Sequence, residues 1–277
     1  THREYRFRAR PWELQRSAGV CPECAYGCNI NVDSRDYDIK RFASRDNPMV
    51  DDMWLCDRGR YSFPKWNTGQ RVRRPVIRPG GGEQQREVTV GAAISEAAKQ
   101  IRAAIDAGGA GSVAVLGSAA STNEELWLLT RLARDVIGTP HLDHQLELFV
   151  GLSPDEHALG IAEIEDCGAV VVLGPEPEVN APVLSLRLYK AERKRGVRVL
   201  RVAAGAAARE VEDQLRDAAV VGVIADETNR ANAAVLAKSL GRHTTVRRLT
   251  VTRGINGRGA KDLGVLPSHA MGYRTVS

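Results

Sequence analysis

Long apolar runs are missing from this chain of 277 residues. Nowhere do the roughly 18 consecutive apolar residues of a membrane-spanning helix occur, so the chain does not itself read as crossing a bilayer. Aromatic residues are scarce, at 5% of the total, and form no interleaved series on which bases could stack. That argues against a nucleic-acid surface in spite of a net charge of +5. The short catalytic signatures GxSxG and HExxH and the Walker loop are absent as well. There is no initiating Met and no charged-then-apolar start at Thr1, so the chain reads as a cytosol-facing fragment of a longer protein. Cysteine is rare too, with five residues, which is unlike a small disulfide-dense secreted scaffold.

Four of those five cysteines carry the main signal. Cys21, Cys24 and Cys28 lie close together and Cys56 follows at a distance. Three clustered thiolates plus one remote thiolate suit a [4Fe-4S] cluster, because one loop can wrap three corners and a returning segment can supply the fourth. Zinc is the rival ion, since it also takes four sulfurs, although its usual pattern is two separated CxxC pairs. Disulfide pairing is the remaining alternative. Pro22 and Gly27 suit a tight ligand loop, the first by fixing its own φ and the second by reaching angles closed to other residues. Lys40, Arg41, Arg58 and Arg60 are candidates either for cations beside an anionic cluster, where they would favour its reduced form, or for solvated surface charges. The fifth thiol, Cys167, precedes an apolar run and reads as a buried core residue at the start of a strand.

Charge and composition divide the chain near residue 80. Residues 1–80 hold 16 Lys and Arg against 10 Asp and Glu, whereas the remainder holds 23 against 24. An acidic partner subunit or an anionic cluster accounts for this local surplus. The first part is loop-rich, with short strands expected at Asn29 to Val32 and Asp38 to Phe42. Arg78 to Glu83, with its proline and glycines, reads as a linker or tight hairpin. Beyond it, apolar runs at Val113 to Leu116, Ala169 to Leu173, Val197 to Val202, Ala219 to Ile224 and Val246 to Val251 suit buried parallel strands. Helical patterns fall between them at Gly91 to Ala107, Thr122 to Ile137, Asn180 to Lys194, Ala206 to Asp217 and Glu227 to Leu240. The expected fold class is α/β: a small loop- and strand-rich [4Fe-4S] domain over residues 1–80, then a layered Rossmann-like α/β domain with a mostly parallel sheet over residues 81–277.

Other motifs are weaker. A capping box is expected at Ser121 with Glu124 or Thr122 with Glu125, followed by an apolar helix face of Leu126, Leu129, Ala133, Val136 and Ile137. The preceding loop, Gly117 to Ser121, has too few glycines for a backbone to wrap a pyrophosphate closely, so a plainly capped helix is the favoured reading. His141, Asp143 and His144 lack a further nearby ligand and read as surface or capping groups.

Together, Arg10-Pro11-Trp12-Glu13-Leu14, the stretch from Cys21 to Ile30 and the stretch from Leu55 to Phe63 resemble the large iron-sulfur (G) subunit of bacterial NADH:quinone oxidoreductase (respiratory complex I). That large subunit belongs to the molybdopterin oxidoreductase superfamily. Arg71 to Arg78, Gly117 to Gly138, Pro182 to Val202 and Gly254 to Pro267 resemble that superfamily more loosely. The resemblance implies that Cys21, Cys24, Cys28 and Cys56 ligate one [4Fe-4S] cluster, with an electron-transfer or structural role. It also implies that Arg58 takes the place of the Lys or Arg that lies between cluster and pterin in catalytic relatives. Thr139 to Gly160 holds no cysteine where a molybdenum ligand is expected, leaving Ser153 and Asp155 as formal candidates, and the chain is short for a catalytic member. The resemblance therefore points to a part of the complex with no independent active site and no molybdopterin. Its implied partners are the other subunits of the peripheral arm, on the cytoplasmic face of the cell membrane. A fragment of a molybdenum or tungsten bis-pterin oxidoreductase such as formate dehydrogenase is the alternative.

Overall fold

A computed structural model describes residues 3–68, 71–78, 84–145, 158–203, 208–215, 217–267 and 269–275. In chain order its elements begin with β1 (Gln15–Val20), β2 (Asn29–Arg35), β3 (Asp38–Ser44), α1 (Asp57–Arg60), β4 (Val76–Ile77), β5 (Arg86–Glu87) and α2 (Val90–Gly108). There follow β6 (Val115–Leu116), α3 (Asn123–Arg131), β7 (Leu142–Asp143), β8 (Ala169–Leu173), α4 (Glu176–Asn180), α5 (Pro182–Arg195) and β9 (Arg198–Val202). The last are α6 (Ala208–Leu215), β10 (Val220–Asp226), α7 (Arg230–Leu240), β11 (Thr245–Val251), α8 (Gly257–Asp262), β12 (His269–Ala270) and β13 (Arg274–Thr275). By internal contacts the chain gathers into two compact units, Thr1–Asn67 with Phe149–Arg258, and Thr68–Leu148 with Gly259–Ser277.

The first unit holds two sheets. β1, β2 and β3 form an antiparallel meander. Asp36 and Tyr37, between β2 and β3, both have positive φ, the backbone of a two-residue hairpin whose twist matches the flanking strands. β1 has no counterpart among the expected strands, because Gln15–Val20 is largely exposed and carries no apolar alternation. The second sheet is the parallel one, in the order β11-β10-β8-β9, so the mixed α/β fold agrees with the sequence reading.

β8 is buried along its whole length, and its side chains alternate between two cores. Ala169, Val171 and Leu173 pack with Val211 and Leu215 of α6 and Ala233, Leu236 and Leu240 of α7. Val170 and Val172 belong to the other core, with Val183, Leu184, Leu188 and Ala191 of α5, and this core also contains Cys21, Tyr26, Cys28, Ile30, Phe42 and Phe63. Period-two alternation explains the split. Each fully buried Val or Leu contributes about 1.5–3 kcal/mol, so the sheet supports itself and offers one apolar face to the cysteine segment. Cys167 is buried just before β8, as expected, and burial pushes its thiol up to about 11.

In the second unit β4 pairs with β5 and β6 with β7, and a small core collects Leu126, Ala133, Leu142, Ala260 and Val265. β6 is shorter than the expected Val113 to Leu116. The Val113 amide is taken by Ala110 of a 3₁₀ turn and its carbonyl by the Thr139 hydroxyl, which removes Val113 from the strand ladder. The capping box forms at Thr122 with Glu125, whose carboxylate accepts from the Thr122 amide at 2.8 Å. Leu126, Ala133 and Ile137 are buried as expected, but Val136 is 75% exposed. The cause is a π-helical turn over Leu132–Ile137, whose wider winding rotates Val136 off the face that regular helical spacing assigns it. His144 also departs from expectation: it is buried, with Nδ1 2.7 Å from the Val265 carbonyl oxygen, while His141 is exposed and Asp143 caps the His144 amide. The parts of Arg78 to Glu83 and of Ala206 to Asp217 at 79–83, 206–207 and 216 lie outside the described residues, as do Ser153 and Asp155.

Candidate metal centre

The first three cysteines all belong to one hairpin connection. β1 and β2 pair down to Val20 and Asn29, so residues 21–28 form a loop leaving and re-entering the sheet at one point. The Cys21 amide donates to the Cys28 carbonyl at 2.8 Å, which closes the loop at its neck. Gly27 has a φ of +75°, a backbone that glycine adopts without the Cβ penalty, and it turns the chain back toward β2 just ahead of the third cysteine. Glu23, within the loop, pairs with Lys65 at 2.5 Å and ties it to the 3₁₀ turn at Phe63–Asn67.

Cys56 arrives from a second segment that is clamped to the same neck. The Arg45 guanidinium donates to the Asn29 side-chain oxygen at 2.6 Å, and the Asp51 carboxylate accepts from the Asn29 amide and, at 3.1 Å, from the Met53 amide. Between these clamps the Asn47 carbonyl accepts from the amides of Val50, Asp51 and Asp52. Cys56 stands immediately before α1, and the buried Gly59 of that turn lies against Cys21. A Cβ at Gly59 would sit 2.8 Å from the Cys21 sulfur and 2.9 Å from a Leu55 methyl carbon. Glycine is therefore what lets the fourth-cysteine turn close on the first cysteine.

All five cysteines are free thiols, so the disulfide alternative finds no pair here. Cys21 and Cys28 are 3% and 2% exposed, and Cys24 and Cys56 are half-buried beside the same core. Burial pushes the Cys21 thiol up to about 11, with the charges of Cys24 and Cys56 adding to it. Cys28 is raised further, first by burial and then by Cys21, Cys24, Asp51 and Cys56. All four sequence-predicted cysteines border one apolar core, Cys21 and Cys28 within it and Cys24 and Cys56 packed against it. Thiols held protonated in this way become ligands only when a bound metal displaces the protons.

Among the described residues no three His, Cys, Asp or Glu side chains converge as a single metal ion requires. A four-iron core differs in that each thiolate meets a different corner iron, so its sulfurs stand wider apart than around one tetrahedral ion. Four soft thiols bordering one core, with a glycine that lets the Cys56 turn close on Cys21, fit such a core.

The candidate cations are placed differently. Lys40 pairs with Asp38 at 3.3 Å, and Arg41 pairs with the buried Asp33 at 2.6 Å while lying over the Tyr5 ring. Arg16 joins Asp33 from the other side at 2.8 Å. Burial alone would raise the Asp33 carboxyl, but the two guanidinium groups outweigh it and hold the group below its ordinary value. Arg58 is exposed and donates to the Asn180 carbonyl oxygen at the end of α4. No hydrogen bond to a thiol sulfur is made by Lys40, Arg41 or Arg58 among the described contacts.

Arg187 of α5 had no sequence signal, because a lone arginine in a basic helix reads as solvated. It is buried, paired with the buried Glu165, and donates to the carbonyls of Pro48 at 2.8 Å and Val50 at 3.1 Å, the segment that leads to Cys56. Lys190 bridges Glu165 at 3.1 Å and Asp52 at 2.6 Å. Burial would raise Glu165, but its bonds to Arg187 and Lys190 prevail and lower it. A cavity of about 260 Å³ lies beside this anchor, lined by Ala25, Tyr26 and Val50 on the cysteine side and by Leu184 and Val251 on the sheet side.

Set against known proteins, residues 14–67 match the family described as Molybdopterin oxidoreductase Fe4S4 domain, and residues 71–234 the family described as Molybdopterin oxidoreductase. The NADH-quinone oxidoreductase G subunit of Mycobacterium tuberculosis is 32% identical over 210 residues, covering 72% of this chain and 25% of that protein. The corresponding G subunit of Streptomyces coelicolor is 28% identical over 335 residues, covering 100% of this chain and 39% of its own length. The alpha subunit of the NADPH-Fe(3+) oxidoreductase of Geobacter sulfurreducens is 31% identical over 205 residues, covering 71% of this chain and 24% of its own. The chain thus spans from about a quarter to about two fifths of the length of these relatives.

Proposed function

The chain belongs to the molybdopterin oxidoreductase family, and we propose that it is the cluster-bearing part of the large iron-sulfur subunit of an NADH:quinone oxidoreductase. In this reading Cys21, Cys24, Cys28 and Cys56 hold one [4Fe-4S] cluster. The observation that carries the reading is the pairing of a three-cysteine hairpin loop with a fourth cysteine brought to its neck. The match of residues 14–67 to the Fe4S4 domain and the likeness to the mycobacterial and Streptomyces subunits support it. Domains over residues 1–80, for the cluster, and 81–277, for a shortened Rossmann-like α/β domain, belong to the same proposal.

When bound, such a cluster accepts and releases one electron at a time. This chain's residues do the rest. The hairpin neck and the Gly59 turn orient the thiols, the apolar core around Ile30, Phe42 and Leu188 keeps water from the buried side, and Arg187 fixes the Cys56 segment on α5. Arg58, two places past Cys56, would lie near the cluster, with its guanidinium held by the Asn180 carbonyl oxygen.

The reaction would be that of the complex, a translocase, with no independent active site in this chain and neither molybdopterin nor a nicotinamide bound. The partners would be the other subunits of the peripheral arm, at the cytoplasmic face of the membrane. No described helix is long and apolar enough to cross a bilayer, which suits attachment through partners.

The test is to produce the chain in a host competent for molybdopterin synthesis and analyse it for iron, molybdenum and extracted pterin, with calorimetric titration of NADH alongside. Iron without molybdenum or pterin, and no NADH binding, is the expected result. Stoichiometric pterin or micromolar NADH binding would return a bis-pterin or nicotinamide-dependent enzyme to first place.

A further inference from the structure

Asp51 is a buried acid that makes no ion pair among the described residues. It is 1% exposed, and among the described residues its carboxylate accepts from the backbone amides of Asn29 and Met53. Two other buried acids of the same unit are ion-paired, Asp33 between Arg16 and Arg41 and Glu165 between Arg187 and Lys190, whereas Asp226 accepts from Thr228 and Asn229. None of the ion pairs among the described residues involves Asp51. Arg187, whose guanidinium reaches the neighbouring Val50 carbonyl, already has Glu165, and Lys190 is shared by Asp52 and Glu165.

The location gives this charge an effect. The amide that Asp51 accepts from belongs to Asn29, directly after Cys28, so the carboxylate stands at the peptide that carries the third ligand. Asp51 is among the smaller influences, after burial, that raise Cys28 and Tyr26, the residues on the two sides of Gly27. Charges interact more strongly in a poorly screened interior than in water.

We propose that Asp51 is a positioning residue with a second role, holding the Cys28 end of the ligand loop and lowering the midpoint potential of the cluster through its carboxylate charge. This inference rests on the cluster reading above. One-electron reduction adds a negative charge to an already anionic cluster, so a neighbouring carboxylate disfavours the reduced form.

The experiment is a dithionite titration of the anaerobically reconstituted chain, followed by paramagnetic resonance, for the parent, Asp51→Asn, Asp51→Glu and Asp52→Asn. In Asp51→Asn, which keeps an acceptor oxygen and the side-chain volume, the ratio of reduced to oxidised cluster at fixed potential rises about tenfold, an upward shift of about 59 mV for a one-electron couple. Asp51→Glu, which keeps the charge, and Asp52→Asn, whose charge is paired with Lys190, stay within about twofold of the parent, far short of that tenfold step. An unshifted Asp51→Asn overturns the proposal. So does an Asp51→Asn protein that holds no cluster, because the carboxylate would then be a structural clamp alone, and so does an equal shift in Asp51→Glu. A parent chain that never acquires four irons would instead remove the cluster reading itself, an outcome separate from these.

Discussion

The cysteine segment and the parallel sheet lie in one compact unit yet are held by different forces. The sheet is held by apolar burial on both faces of β8. The segment over residues 10–67 has only a three-stranded meander and a share of one core, and its long 45–56 stretch is fixed by polar clamps: Arg45 and Asp51 on Asn29, and Arg187 on Pro48 and Val50. Apolar burial is non-directional and tolerates small displacements, whereas such clamps act only at correct geometry. If the cysteines hold the proposed cluster, the segment should draw much of its stability from that inorganic core, as small metal-bound domains do, while the sheet should not.

The largest effect that would break this contrast is expected from Cys24→Ser. The variant loses the cluster, and limited proteolysis then cuts within residues 10–67 while the β8–β11 sheet stays protected. Equal protection of the segment in variant and parent would count against the contrast. Next comes Arg187→Ala, which leaves Glu165 buried without its main cation and frees two carbonyls of the Cys56 segment. Removing one partner of a buried pair costs about 3–5 kcal/mol. Denaturant unfolding should show that loss, together with faster release of iron to a chelator. Leu215→Ala, in the core facing away from the cysteines, is expected to cost about 2–5 kcal/mol and leave the cluster spectrum unchanged. A changed spectrum in that variant would show that the two regions are not energetically separate.

How much of this was legible beforehand follows the same contrast. Strands β8 to β11 stood out because buried parallel strands are nearly continuous apolar runs, and the four motif cysteines because cysteine is rare and their spacing distinctive. Asp51, Gly59 and Arg187 were not legible. Asp51 is one of an adjacent acidic pair, Gly59 one glycine among 26, and Arg187 one cation in a basic helix, and their roles arise only when distant segments meet. Composition marks a break near residue 80 but carries no information on which surfaces come together, so the grouping of residues 1–67 with 149–258 was equally hidden. Val136 was misplaced because regular helical spacing cannot foresee a π turn.

The smallest expected effect is that of acid. The folded-state carboxyls of Asp33 and Glu165 are lowered from ordinary values of 3.8 and 4.5. Their contribution is therefore complete above those values and lost as pH falls through the lower folded ones. Stability of the unit measured from pH 7 downward should stay flat in this respect to about pH 5 and decline below pH 4. Replacing Asp33 by Asn should flatten the lower part of that decline. A decline already under way at pH 6 would point to other groups.

The central claim, that the four cysteines hold an iron-sulfur cluster, is tested most directly by metal analysis and paramagnetic resonance on anaerobically purified and reconstituted protein. The account predicts a brown protein with about four irons per chain, as the cluster type requires, and a cluster resonance on strong reduction. A colourless protein with stoichiometric zinc and no iron after reconstitution would contradict it.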